Sequence, residues 1–283
     1  MLSVRPWIEE DIPYLCQSVS REKWGHTRSD IERCWHWEPK GCLIAEEGER
    51  VGHVSSISYG KLGWIGLLIV NPEHRGKGIG TSLVGKAIVH LRETGVESIR
   101  LEAVEEFVPF YETLGFRQEF ASLRYQGQMT PRMSESHNAE VSLIRPEEMA
   151  ELAAFDSEYF GAGRTQILET LAEVDPLRSF VAREEEILGY MMCRKTENGY
   201  WMGPWVSSDA GVSEDLLAAA LRSLDESDRM LRFGFPSTNE EMQRLMRKNG
   251  ILPRGKSIRM VLGKRSCGGN PSRIFGIAGP EKG

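Results

Sequence analysis

The run Arg75-Gly76-Lys77-Gly78-Ile79-Gly80-Thr81 carries the residue types most suited to holding an anion. An apolar stretch, Leu67 to Val70, precedes it and reads as a buried strand ended by Pro72. Leu83, Val84, Ala87, Ile88 and Leu91 follow at helical spacing, so the loop sits at a helix N-terminus. Amide N–H groups point outward at such a junction and the helix dipole favours negative charge. Glycines let the backbone approach a phosphate and take positive φ without penalty. The spacing excludes two phosphate loops. No lysine precedes a hydroxyl residue as G-x-x-x-x-G-K-[ST] requires, and Gly78 and Gly80 are followed at the third residue by Thr81 and Leu83, against G-x-G-x-x-G. His26, Cys34 and His36 are metal-ligand types, but their spacing matches no common site, so no metal is expected. His53 is a candidate general base, because histidine exchanges protons near working pH.

What remains is Arg-x-x-Gly-x-Gly on Arg75, Gly78 and Gly80, after Val70-Asn71-Pro72-Glu73. This resembles the acetyl-CoA pyrophosphate loop of the GNAT N-acetyltransferase superfamily. A second motif, Phe110-Tyr111-Glu112-Thr113-Leu114-Gly115-Phe116, is similar to the F-Y-x-x-L-G-F signature of the same superfamily. The resemblance implies acetyl-CoA as co-substrate, held by the loop Arg75 to Thr81 (with Gly76, Lys77, Ile79 and Gly80) and by the backbone of Leu68, Ile69 and Val70. It implies that Tyr111 protonates the departing sulfur. A phenol near pKa ~10 can donate to a thiolate whose acid lies near ~8.5 without a large uphill step. The segment with Trp24, Trp35 and Trp37 corresponds to the helical region lining the acceptor pocket, so Trp24 and Trp35 are candidate walls for an amine. Two features depart from the family. Val104 and Phe107 stand where asparagine and alanine are frequent, and the strand before the loop, Gly63-Trp64-Ile65-Gly66-Leu67, lacks the carboxylate many relatives use as base.

Several elements must position these groups. A strand is expected at Leu2–Arg5, a helix at Pro6–Ser18, a hairpin of Cys42–Glu46 with Val51–Tyr59, and strands at Leu62–Val70 and Ser98–Val104. A short helix, Phe107–Leu114, ends at Gly115, and Phe116–Tyr125 returns as a strand.

The plan then repeats, offset by roughly one domain's length. Phe180–Arg183, Ile187–Arg194 and Gly199–Val206 echo three strands, Val212–Leu224 the long helix and Met230–Phe235 the next strand. Gly250-Ile251 stands where Gly115-Phe116 stood, with Met246 in the place of Tyr111. The second loop has no arginine and carries Asp209, which repels a pyrophosphate. This half resembles the degenerate C-terminal module of two-domain acetyltransferases, through Phe160 to Arg164, Trp201 to Trp205, Phe235-Pro236, Arg259-Met260 and the tail Phe275 to Gly283. By that resemblance Arg164 is a candidate acceptor-side residue. The expected fold is α/β (α+β): tandem GNAT folds, each with a mixed, mostly antiparallel central sheet flanked by helices. The expected domains are 1–127, catalytic and acetyl-CoA-binding, a linker at 128–138, and 139–283, degenerate.

Composition narrows the function class. The net charge of −6 over 283 residues is shared evenly between residues 1–135 and the rest, and neither half has the clustered basic charge of a nucleic-acid binder. No apolar run reaches the ~20 residues of a membrane span, and the first residues lack a signal-peptide core. Five scattered cysteines without C-x-x-C spacing read as reduced thiols. The expectation is a cytoplasmic N-acetyltransferase, monomer or homodimer, acting on a small-molecule primary amine by direct attack, without nucleic-acid or membrane partners; the alternatives are a non-catalytic acyl-CoA-binding sensor or interaction protein, or acetylation of a protein lysine or N-terminus.

Overall fold

A computed structural model describes residues 1–129, 139–197, 199–225, 230–264 and 268–283. In chain order the elements are β1 (Ser3–Pro6), α1 (Ile12–Arg21), α2 (Arg28–Trp37), β2 (Leu43–Glu46), β3 (Arg50–Tyr59), β4 (Leu62–Val70), α3 (Ile79–Glu93), β5 (Ser98–Val104), α4 (Val108–Thr113) and β6 (Arg117–Gln128). They continue as β7 (Glu140–Leu143), α5 (Met149–Phe160), α6 (Thr165–Val174), β8 (Ser179–Arg183), β9 (Ile187–Thr196), β10 (Gly199–Ser207), α7 (Ala210–Ser223), β11 (Met230–Pro236), α8 (Glu240–Lys248), β12 (Pro253–Gly263) and β13 (Ile274–Gly276). Most of the expected linker, residues 130–138, lies outside the described residues.

The chain divides into two compact units. Unit 1 comprises Met1–Gln118, Met260–Cys267 and Pro280–Lys282, and unit 2 the remaining segments. In unit 1 the strand order is β1-β2-β3-β4-β5, followed by the end of β12. Strands β1 to β4 pair antiparallel and β4 pairs β5 in parallel. Helix α3 packs on one face: a Cβ on Gly52 would touch Leu83 and one on Gly63 would touch Leu91. Residues of the opposite parity, such as His53, whose Nε2 lies 2.6 Å from Ser18 Oγ of α1, point to the other face. Ile57, Ile65, Leu83, Val84, Leu91, Ile99 and Leu101 are buried within this unit.

The first helix starts later than the apolar spacing suggests. Residues 9–11 form a 3-10 turn, Asp11 accepts from the Ile8 amide at 2.9 Å, and Pro13 opens the α-helix. Proline fits the first helical turn, where its missing N–H is not needed. Helix α2 begins with a capping box: Thr27 Oγ1 accepts from the Asp30 amide while Asp30 Oδ2 accepts from the Thr27 amide.

In unit 2 the order from β6 onward is β6-β11-β10-β9-β8-β7, with β13 on β10. Antiparallel pairing of β7, β8, β9 and β10, with β10 parallel to β11, reproduces the pairing pattern of β1 to β5. The sequence repeat is therefore a repeat of topology. From Glu119 onward the strand expected to close the first repeat belongs to unit 2, where β6 pairs antiparallel with β11. In unit 1 the segment beside β5 is instead the end of β12.

Candidate active site

Strand β4 carries one extra residue against β3. His53 faces Ile69 and Ser55 faces Gly66, so Val54 alone opposes both Leu67 and Leu68. Leu67 takes φ 47, a left-handed conformation rare for a branched side chain, while its side chain is 3% exposed. Burial of the leucine holds the backbone kink in place. The kink falls where β4 parts from β5. Parallel pairing runs from Leu62 opposite Ser98 to Ile65 opposite Leu101 and stops there, although the strands continue to Val70 and Val104. The β5-facing backbone of Leu68, Ile69 and Val70 is left outside that ladder. An extended ligand bearing amide groups fits such an edge, as an added strand would.

The loop follows directly. Gly76 and Gly78 have φ 76 and φ 80, and a Cβ built on either would meet nothing within 4 Å. These glycines are therefore set by backbone conformation and not by crowding inside the protein. Gly78 is the N-cap of α3 and supplies no side-chain cap, so the amides of Ile79, Gly80 and Thr81 have no capping side chain. Open donors, the positive helix end and exposed Lys77 suit a pyrophosphate. Arg75 donates from Nε to Val70 O at 2.9 Å and pairs through Nη2 with Glu22 at 2.7 Å, bracing the loop on the strand end.

Helix α4 stands beside this loop. A Cβ on Gly80 would lie 3.4 Å from Phe110 Cζ, so the glycine permits the loop and α4 to approach. Tyr111 follows Phe110, packed edge-on against Phe110 at 5.0 Å and Phe116 at 5.9 Å. Gly115, at φ 86, turns the chain so that Phe116 reaches back. Tyr111 is 8% exposed, and its hydroxyl makes no hydrogen bond to any described residue. Burial pushes its pKa well above that of an ordinary phenol, so it carries its proton at neutral pH. Its O–H is unpaired and can be given to a ligand, although burial makes it a weaker acid than the ordinary phenol expected from the sequence.

His53 is in a different environment. It is fully buried, touches Ser18 Oγ through Nε2 at 2.6 Å, and lies edge-on to Trp7 and Tyr14. Burial lowers its pKa to about 3, so the ring is neutral and a poor proton acceptor near pH 7. Trp24 is half-buried in the α1–α2 connection, 6.3 Å from the His26 ring, and Trp35 is half-buried on α2. Arg164 lies inside unit 2. Its guanidinium binds both oxygens of buried Asp156 at 2.8 and 2.9 Å, donates to Gly283 O at 2.9 Å, and covers the Phe160 ring. Tyr190 donates to the same carboxylate at 2.5 Å. This makes Arg164 part of a packed core network.

The repeated opening in unit 2 is filled. The β9–β10 register shifts between Met202 and Trp205, and β10 pairs with β11 only at Tyr200 opposite Leu231 and Trp201 opposite Arg232. Strand β13 lies along β10, with Trp205 opposite Gly276, and Ile277 donates to Gly234 O of β11 at 2.8 Å. Helix α7 is capped by Asp209, whose Oδ1 accepts from the Val212 amide at 3.0 Å. A carboxylate already holds the helix end that an anion would need.

Glu281 and Lys282, read in the sequence only as part of the resembling tail, are 2% and 1% exposed in unit 1. Periodicity gives no hint of them. A short glycine-bounded tail has no amphipathic face from which burial could be read. Among the described residues no three His, Cys, Asp or Glu side chains gather as a metal site, and no helix is long and apolar enough to cross a membrane.

A splayed parallel strand pair, an open helix N-terminus and a neighbouring buried tyrosine thus occur together in unit 1. The sequence model of the Acetyltransferase (GNAT) family matches residues 4–116, and that of the Acetyltransferase (GNAT) domain matches residues 152–276, so the chain belongs to the GNAT acetyltransferase family in its two-domain form. It is 25% identical over 271 residues to the holothin acyltransferase of Pseudoalteromonas sp., covering 93% of this chain and 88% of that one. It is 26% identical over 172 residues to the uncharacterized N-acetyltransferase YitH of Bacillus subtilis, and that match spans 60% of each chain. A putative acetyltransferase from Pyrococcus horikoshii has a similar fold, with TM-score 0.83 and 22% identity over 100% of this chain and 96% of that one.

Proposed function

We propose that the protein transfers an acetyl group from acetyl-CoA to a primary amine on a small molecule, by direct attack and without a covalent enzyme intermediate. The observation that carries this reading is the continuity of three parts in unit 1. The β4 edge at Leu68–Val70 suits the amides of a pantetheine arm, the Arg75–Thr81 loop suits its pyrophosphate, and Tyr111 is a protonated donor beside the loop. The bound thioester supplies the activated acyl carbonyl. The chain's residues orient it, and Tyr111 gives a proton to the sulfur as the C–S bond breaks.

A small acceptor is favoured by the relative that matches nearly the whole chain, which is named for acylating holothin. Half-buried Trp24 and Trp35 offer aromatic faces to a cation. The described cysteines, Cys16, Cys34, Cys42 and Cys193, are free thiols, which fits a reducing compartment, and we place the activity in the cytoplasm. The test is release of free thiol from acetyl-CoA against a panel of primary amines that includes holothin. Calorimetry of acetyl-CoA binding runs in parallel. Binding with amine-dependent thiol release is the expected result, and binding without release for any amine overturns the transferase reading.

A further inference from the structure

An amine is protonated near neutrality and must lose a proton before it can attack a carbonyl. Strand β4 has no carboxylate for this purpose, and His53 is sealed and neutral. The tail delivers one instead. A Cβ on Gly66 would lie 2.5 Å from Glu281 Cα and 2.7 Å from Glu281 Cβ, so Pro280–Lys282 lies directly on β4, one residue before the Leu67 kink. Two hydrogen bonds seat it there: Trp64 Nε1 donates to Pro280 O at 2.9 Å and Tyr59 Oη to Lys282 O at 2.8 Å. The Glu281 side chain therefore starts 2.7 Å from where a β4 side chain would have started had residue 66 not been glycine.

The Glu281 carboxylate is shared. Its Oε1 pairs with Lys282 Nζ, and its Oε2 lies 3.2 Å from His26 Nε2. The other nitrogen of His26, Nδ1, is buried and has no hydrogen-bond partner. His26 stands in the α1–α2 connection with Trp24, two residues before the start of α2. An imidazole with a carboxylate oxygen 3.2 Å from one nitrogen and no partner at the other has the polarity of a proton acceptor.

We propose that His26 and Glu281 form the proton-accepting dyad of the transfer site, His26 taking the amine proton at Nδ1 and Glu281 positioning the ring through Nε2–H. This rests on the transferase reading above. The proton balance is complete. The R–NH3+ acceptor gives one proton to Nδ1, and the resulting imidazolium faces the Glu281 carboxylate. The nitrogen lone pair forms the C–N bond as the C–S bond breaks with its electron pair on sulfur. Tyr111 protonates that sulfur and is reprotonated by the second proton the nitrogen sheds, and His26 returns its proton to water. Glu281 faces His26 and carries Lys282 on its other oxygen, and the Asp30–Arg33 pair follows in the first turn of α2. Tyr59 bonds the tail, and burial pushes the nearby Cys34 thiol up to about 12, so it stays neutral.

The experiment has two arms on the full chain. In a long-range 1H–15N spectrum of histidine-labelled protein, assigned by difference with His26→Gln, the neutral His26 ring should carry its proton on Nε2. A proton on Nδ1 overturns the proposal without any activity being measured. In the second arm, with the best amine of the panel, His26→Ala should lower kcat ~10²-fold at unchanged KM for acetyl-CoA, and added imidazole should restore part of the rate. Glu281→Gln should move the acid limb of the kcat/KM pH profile. An unmoved pH profile in both variants reduces the cluster to a structural seat. A wild type that turns over no amine but shows the Nε2–H ring overturns the transferase reading and leaves the dyad's geometry supported.

Discussion

Asn239 Nδ2 donates to Ile274 O at 3.1 Å, while Asn239 Oδ1 accepts from the Met242 amide at 2.8 Å. One side chain thus caps α8 and ties β13 into unit 2, at the position of the repeat that is Val104 in unit 1. The peptide of β13 occupies the opening that the corresponding strands of unit 1 leave free. One acetyl-CoA per chain is the expected stoichiometry by calorimetry. Asn239→Ala should destabilise the protein by about 1–2 kcal/mol in urea unfolding, as loss of an N-cap does, with acetyl-CoA affinity unchanged.

Gly78→Val should weaken acetyl-CoA binding at least ~10-fold. A β-branched residue at φ 80 resists the left-handed conformation by about 1–2 kcal/mol, so the loop re-forms with its amides turned away. Arg75→Ala should also reduce affinity, by less, since the side chain is exposed and braces the loop through Val70 O. Calorimetry of the two variants checks the order.

Tyr111→Phe should lower kcat ~10²-fold with little change in KM for acetyl-CoA. The phenyl ring keeps the packing against Phe110 and Phe116, so the protein should melt within a few degrees of wild type. Burial raises the Tyr111 pKa, so the phenol stays protonated and an alkaline loss of activity between pH 7 and 9 is not expected from it. The pH profile of kcat reads this directly.

His53 makes stability depend on acid. Its folded pKa is depressed to about 3 from 6.5, so below pH 6.5 the unfolded chain takes up a proton that the folded chain refuses. Stability should therefore fall as pH drops through the window from about 6.5 to about 3, by up to ~1.4 kcal/mol per pH unit from this residue. His53→Asn should flatten that slope in urea midpoints measured against pH, whatever it does to stability at pH 7.

Gly66→Ala should dislodge the tail. The new Cβ would meet Glu281 backbone atoms at 2.5–2.7 Å, and backbone cannot swing aside as a side-chain end can. Protease sensitivity near residue 280 should rise, while acetyl-CoA affinity changes little.

The anion loop was legible because its chemistry is local: glycine spacing, a strand before and a helix after suffice to aim consecutive amides. The Phe110–Phe116 motif was legible for the same reason, since a short helix and its glycine stop lie within seven residues. The duplication could be read from matching element order, and Asp209 before the second long helix could be read as a carboxylate at the helix end, where it caps α7. Each of these is a property of neighbours along the chain.

Tertiary structure decided the rest, because the deciding contacts join residues far apart in sequence. The Leu67 kink is a register event between β3 and β4, and apolar alternation cannot count it. The burial that silences His53 comes from Trp7, Tyr14 and Ser18. Glu281 lies 215 positions from Gly66 in the chain, and only the absence of a Cβ at Gly66 lets the tail lie on β4 and bring a carboxylate to His26. The sequence by itself determined a glycine loop at a helix N-terminus, because that geometry is local. Which groups gather around β4 depended on long-range packing, where a glycine's empty space and a buried charge acquire meaning together.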